Sequence, residues 1–240
     1  MASLRERPTP PSLSVLMCTY NREDYVREAI DSVLAQDDPN VEIVVVDDAS
    51  TDRTGAVLGD YGDRIRVIRS DENRGTGISR NRGLCHSDGE LVAFLDDDDV
   101  LPPGSLSIRR AMLGADPDAD VASGRIEEFL SPEVESRLRS EGVRARAGLS
   151  GPVTAAMVRR QAFTRIGAFE ELRHAACINW MMRARSELRF VETDEIVYRR
   201  RLHHSNVSRS DLIDHTFRFE AIRRARAMQR GVDTVDTSLD

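Results

Sequence analysis

Apolar and polar residues alternate in blocks along the first hundred positions, and the period of the alternation changes from block to block. Residues 12–19, Ser-Leu-Ser-Val-Leu-Met-Cys-Thr, read as a strand. Residues 25–35 have helical spacing, with Tyr25, Ala29, Ile30, Val33 and Leu34 on one face. The run Val41-Glu-Ile-Val-Val-Val46 is nearly continuous and β-branched, as in a strand covered on both faces. Ser50-Thr51-Asp52 resembles a helix start, and the helix it opens runs to Tyr61. A short strand over 65–68, a helix after Gly75-Thr-Gly77 through Cys85 and a strand over 91–95 follow, and Pro102-Pro103 opens another helix. This alternation predicts an α/β fold with a mostly parallel central sheet and helices on both faces. Ligands of such sheets bind beyond the carboxyl ends of the strands. The polar clusters fall at those ends: Thr19, Tyr20, Asn21 and Arg22; Asp47 and Asp48; and Asp96, Asp97, Asp98 and Asp99.

The second half is less regular. Residues 120–124 suggest a strand. The charged stretch 127–147 lacks an apolar face and reads as a mobile or partly helical excursion. Residues 153–158 look extended, and 159–166 and 178–185 helical. Two short strands are expected over 188–191 and 196–199, then a terminal helix over 211–230 and a tail.

Composition changes the picture in three ways. A net charge of −7 argues against a general nucleic-acid surface. All 34 basic residues are arginine, a chain-wide bias that marks no particular site. The three cysteines, Cys18, Cys85 and Cys177, are scattered, which argues against a disulfide framework or a structural zinc site and suits a reducing compartment. Residues 1–11 carry charges and prolines without the apolar core of a signal peptide, and no stretch reaches the roughly 20 apolar residues of a membrane span. The expected location is cytoplasmic, with at most peripheral membrane contact.

Four aspartates at the end of an apolar strand repel one another. A hard divalent cation, Mg²⁺ or Mn²⁺, relieves that cost, because carboxylate oxygens suit it. A solvated acidic turn capping the next helix is the alternative.

Four segments resemble, in order and spacing, the family 2 glycosyltransferases of the GT-A fold. They are Ser14-Val-Leu-Met-Cys-Thr-Tyr-Asn-Arg22, Val45-Val-Asp-Asp-Ala-Ser-Thr-Asp52, Asn73-Arg-Gly75 with Ser79-Arg-Asn-Arg-Gly83, and Phe94-Leu-Asp-Asp-Asp-Asp99. The resemblance runs over about 12–207 and is strongest before Pro103. It implies a GT-A domain over 12–208, with a nucleotide-sugar half over 12–103 and an acceptor half over 104–208. Residues 1–11 are then an extension, and 209–240 a helix and tail.

The same resemblance implies roles. Tyr20 looks like the ring that stacks on the nucleotide base, within a donor-binding loop of Thr19, Tyr20, Asn21 and Arg22. Asp48 looks like the carboxylate that bonds the base, with Asp47 supporting its loop. Asp96 and Asp98 match the DxD motif: Asp96, with Asp97 beside it, on the donor, and Asp98 on the metal. Arg80 sits where the family places a basic helix residue near the donor, although an internal ion pair with an aspartate explains it as well. Arg199-Arg-Arg-Leu-His-His-Ser-Asn206 resembles the closing motif, which places His203 at the donor or metal. There the three arginines either neutralise phosphate oxygens or form a solvent face.

One departure stands out. Asn179-Trp-Met-Met-Arg-Ala184 resembles the helix after the family's Glu-Asp pair, whose Asp is usually the general base. Aligned through Trp180 and Arg183, those two positions here are Ala176 and Cys177. Either another group serves, with His174, Glu170 and Glu171 nearest, or Cys177 acts as an unusual base, or the protein binds donor without efficient chemistry. The expected activity is metal-dependent, inverting transfer from a nucleotide sugar, a UDP-sugar first, to a hydroxyl on a saccharide, natural product, peptide or lipid-linked acceptor. A degenerate donor-binding protein is the alternative. A nucleotidyltransferase is disfavoured, because its glycine-rich basic loop after the first strand is missing.

Overall fold

The computed structural model describes residues 13–206 except 39, 133–134, 141, 143–144, 151–152, 173–175 and 204–205. His174 and the helix expected over 211–230 lie outside these residues.

The core is one eight-stranded sheet. Strand β1 (Leu13–Thr19) lies between β2 (Val41–Asp47) and β4 (Leu91–Asp96), parallel to both, and β3 (Arg66–Arg69) extends the parallel part beyond β2. On the other side β7 (Ala156–Arg159) pairs antiparallel with β4. Strand β5 (Val121–Leu130) pairs antiparallel with β7 and with the short β6 (Leu149–Ser150), and parallel with β8 (Phe190–Leu202). The helices are α1 (Val26–Leu34), α2 (Thr54–Gly59), α3 (Thr76–Cys85), α4 (Ser105–Ala115), α5 (Glu135–Ser140), α6 (Gln161–Ile166) and α7 (Ala176–Glu187). None of the described helices is long and apolar enough to cross a membrane.

The continuous apolar runs of β1, β2 and β4 have their reason in two cores. Successive strand residues point to opposite faces. Val15, Met17, Val45 and Leu95 pack with Ile30, Leu106 and Leu113 on one face. Leu16, Val44, Val92 and Phe94 pack with Phe163, Phe169 and Trp180 on the other. Register brings the polar clusters to one edge: Thr19 lies opposite Asp47, and Cys18 opposite Asp96.

The second half differs from the sequence expectation at three places. Val153–Ala155, read as extended, form a 3-10 turn ahead of β7. Strand β5 runs on to Leu130, through the start of the supposed excursion, because its charges are matched across the ladder. Glu127 lies beside Arg199 and Glu128 beside Arg200. The two short strands near the end are one, β8, whose register against β5 shifts between Ser123 and Ile126. Gly124 permits this. A Cβ there would fall 2.8 Å from Val197 Cγ1 and 2.9 Å from the Glu195 carbonyl oxygen.

Candidate functional site

The first loop is built from β1 and β2 together. Asn21 adopts φ 51°, a left-handed conformation that asparagine tolerates. Its side-chain oxygen accepts the Thr51 N–H at 2.8 Å, and its own N–H donates to Ser50 Oγ at 3.0 Å. The Arg22 N–H donates to Thr54 Oγ1 at 2.8 Å. Asp47 is buried, accepting from the Ser50 N–H at 2.8 Å and from Arg69 Nη1 at 2.5 Å, so it supports the loop. The Asp48 N–H donates to the Thr19 carbonyl, while its carboxylate accepts the N–H groups of Arg74 and Gly75. Asp48 therefore ties the β1 edge to the segment entering α3. Tyr20 projects from this frame with 42% of its surface exposed.

The four aspartates do not act as one cluster. Asp96 is the most open, with a side chain 43% exposed and one oxygen 2.7 Å from Arg80 Nη2. Asp97 turns back under β1, where its carboxylate accepts the Tyr20 N–H at 3.3 Å and lies 3.5 Å from Arg22 Nε. Burial, reinforced by the charge of Asp98, pushes Asp97 up to about 8. Asp99 is buried and accepts the Tyr198 hydroxyl at 2.8 Å and the Arg201 N–H at 2.7 Å. Burial and then Asp98 and Asp96 push its carboxyl well above the usual range as well. The repulsion expected from four adjacent charges is thus relieved by the protein itself, through burial of two carboxyls and through Arg22 and Arg80.

Asp98 meets His203 across 105 positions, with Oδ2 and Nε2 3.0 Å apart. The imidazole is fully buried, its ring centre 4.5 Å from that of Tyr25. The side-chain oxygen of Asn206 accepts the His203 N–H at 2.6 Å, and its amide donates to the Arg201 carbonyl. Arg199 pairs with Glu127 at 2.7 Å, Arg200 with Glu128 at 3.5 Å and Arg201 with Glu28 at 2.5 Å. The three arginines are neither a bare phosphate cradle nor a plain solvent face.

Among the described residues no group of three or more His, Cys, Asp or Glu side chains could hold a metal. Asp98 and His203 could supply one oxygen and one nitrogen to a cation, whose remaining ligands would then have to come from a bound molecule.

Arg80 is buried between Phe94 and Phe169, its guanidinium carbon 5.6 and 5.7 Å from the ring centres. One arm donates to Asp96 and the other to the sulfur of Cys177, in the first turn of α7. The ion-pair reading of Arg80 therefore holds, and its partner is Asp96, the most open of the four aspartates. Ala176 is buried against Gly77. Glu170 has a buried Oε1 with no hydrogen-bond partner, and Glu171 is exposed. Sequence reasoning missed Tyr198 and the supporting roles of Arg201 and Asn206, which hold the aspartate turn and His203. The Arg-rich strand and the His-x-x-Asn spacing were the available signals for two of them.

The glycosyl transferase family 2 profile matches residues 14–188. A putative teichuronic acid biosynthesis glycosyltransferase, TuaG of Bacillus subtilis, is 42% identical over 92 residues, 37% of this chain and 36% of its own length. The succinoglycan biosynthesis protein ExoO of Rhizobium meliloti is 42% identical over 107 residues, 44% of this chain and 30% of its own. The chain thus spans about a third of the curated relatives it matches. Among solved structures, S. aureus TarS 1–349 in complex with UDP-GlcNAc superposes with a TM-score of 0.74 at 24% identity, over 95% of this chain and 68% of that one. The mannosyltransferase PcManGT from Pyrobaculum calidifontis, in complex with GDP-Man and Mn²⁺, gives 0.63 at 22%, over 83% and 59%. These likenesses carry the fold, the GT-A arrangement expected above. The profile match runs from β1 to the end of α7, through both the aspartate turn and the Arg80–Cys177 contact, and so the chain belongs to glycosyl transferase family 2.

Proposed function

We propose that the carboxyl edge of the sheet binds a nucleotide sugar, a UDP-sugar first, and that the protein transfers the sugar to an acceptor hydroxyl with inversion. The observation that carries this reading is the contact of Asp98 with His203, set beside the Asp96–Arg80 pair. Tyr20 stacks on the base, and Asp48, held by Arg74 and Gly75, presents its carboxylate to the base edge. Asn21 and Asp47 hold that loop in shape, with Thr19 and Arg22 beneath it. Asp96 contacts the ribose or sugar, and Arg80 orients it. Asp98 and His203 hold Mn²⁺ or Mg²⁺, which, when bound, supplies Lewis-acid stabilisation of the leaving diphosphate. Remote contacts to the base and ribose position the anomeric carbon, so that binding energy serves the transfer step. In this reading 12–103 forms the donor half and 104–208 the acceptor half, and the protein works in the cytoplasm with at most peripheral membrane contact.

A second reading has its own observation. Cys177 occupies the place of the usual base and lies against Arg80, where a carboxylate would also find a cation. A protein with this site can bind donor yet transfer poorly.

Calorimetry with UDP, with and without Mn²⁺, tests the shared part. Mn²⁺-dependent binding that Asp98→Ala abolishes is expected, and metal-independent or absent binding of UDP and other nucleotides refutes both readings. Turnover separates them. If Cys177→Asp raises transfer sharply over a silent parent, the donor-binding reading stands; ordinary transfer by the parent removes it.

A further inference from the structure

The turn that carries Asp96 to Asp99 is not self-supporting. It is closed by one internal bond, from the Asp99 N–H to the Asp96 carbonyl at 3.1 Å. Adjacent carboxylates would splay a free turn. What holds it is β8, a strand about a hundred positions away. Val100 and Arg199 exchange two backbone bonds of 3.0 Å each, which fixes how deep the turn sits. Arg201 Nε donates to the Asp98 carbonyl at 2.9 Å. The Tyr198 hydroxyl accepts the Asp96 N–H at 3.1 Å and donates to Asp99 Oδ2 at 2.8 Å. Both ends of the turn are therefore bonded to the same oxygen. A phenol can do this because it donates once and accepts at the same time. Tyr198 is 1% exposed, so water does not substitute.

We propose that Tyr198 is the positioning residue of the acidic turn, its buried hydroxyl holding Asp96 and Asp98 where donor and metal need them. The proposal rests on the donor-site reading above. Tyr198 touches neither ligand in that reading. It acts through the main chain at Asp96 and the side chain of Asp99, the two residues that bracket the turn. Phenylalanine keeps the ring's packing and removes both bonds.

The test is Tyr198→Phe, read in two ways. In calorimetry, the gain in UDP affinity on adding Mn²⁺ should fall about tenfold or more. In hydrogen exchange of the metal-free protein, amides over 96–99 should exchange about tenfold faster, with α1 and α3 unchanged. Val121→Ala, a buried truncation in the core on the far side of the sheet from α1 and α4, should lower the melting temperature and leave both readouts alone. An unchanged Mn²⁺ gain or unchanged exchange over 96–99 in folded Tyr198→Phe overturns the proposal. Should that variant fail to fold, Asp99→Leu, which removes the acceptor of the Tyr198 hydroxyl, replaces it, with the same losses expected and the same results overturning. If wild type shows no Mn²⁺ gain, the donor-site reading fails, and exchange alone decides the role of Tyr198.

Discussion

Replacing Gly77 by alanine should destabilise the protein, although alanine is the better helix former. Gly77 lies in the first turn of α3, and a Cβ there would fall 2.5 Å from the Glu170 carbonyl oxygen, and 2.9 Å from both the Leu172 oxygen and Ala176 Cβ. A carbon needs roughly 3.3 Å from a carbonyl oxygen, so the facing backbone must retreat by about 0.8 Å. That backbone is tethered. Asn81 donates to the Phe169 carbonyl at 2.7 Å and accepts the Phe169 N–H at 3.0 Å, and Leu172 N–H closes a tight turn on Glu170 at 2.7 Å. Overpacking of this kind costs about 1–3 kcal/mol. The helix preference for alanine returns up to about 1 kcal/mol. The net loss of up to about 2 kcal/mol lowers the melting temperature by up to roughly 8 °C in a chain of this size. Gly114, near the end of α4, is the internal control, since nothing lies within 4 Å of a Cβ there. Gly114→Ala should raise the melting temperature by about 1–4 °C. Thermal unfolding followed by circular dichroism reads both variants. If Gly77→Ala is stabilised as Gly114→Ala is, the segment before α7 does not rest on α3, and the placement of Cys177 beside Arg80 loses its support.

Other consequences follow from burial. Asp97, pushed up to about 8 by burial and by Asp98, keeps its proton in the folded state while the unfolded chain releases it near the ordinary 3.8. The folded state then binds more protons than the unfolded one between those values, so metal-free protein should lose stability as pH rises from about 4 to about 8. Asp97→Asn should flatten that slope and gain about 1–3 kcal/mol on wild type between pH 5 and pH 8; a constant difference in denaturant melts across that range contradicts it. Cys18, pushed up to about 12 mainly by burial, should resist alkylation at pH 8 in the native protein, while the exposed Cys85 is labelled first. Mass spectrometry showing both labelled at one rate would refute the burial argument.

Much of the carboxyl edge of the sheet was readable because its parts are local. Strand ends carry their own polar residues, and the parallel topology collects them without further instruction. Asp47 as a loop support and Asp98 beside His203 were both anticipated, the second through the family's closing motif. The inward turns of Asp97 and Asp99 were not readable. Which way a side chain points in a four-residue turn depends on Arg22, Tyr198 and Arg201, and two of these lie on a distant strand. Strand β5 was missed past Gly124 for a related reason. Glu127 and Glu128 look like loop residues until their partners Arg199 and Arg200 are beside them. Arg80 and Cys177 were each singled out, but their contact needed the fold.

The support of the acidic turn by β8 sets an order of events during synthesis. β1 to β4 can pair as soon as they emerge, since their contacts are near neighbours in the sheet. Tyr198 follows Asp99 by 99 positions, which at 5–20 residues per second is a delay of roughly 5–20 s. Through that interval a nascent chain carries its acidic turn without the strand that shapes it. Competence to bind at this edge therefore arrives late, and any truncation upstream of Tyr198 should leave a partly formed sheet with an unheld turn.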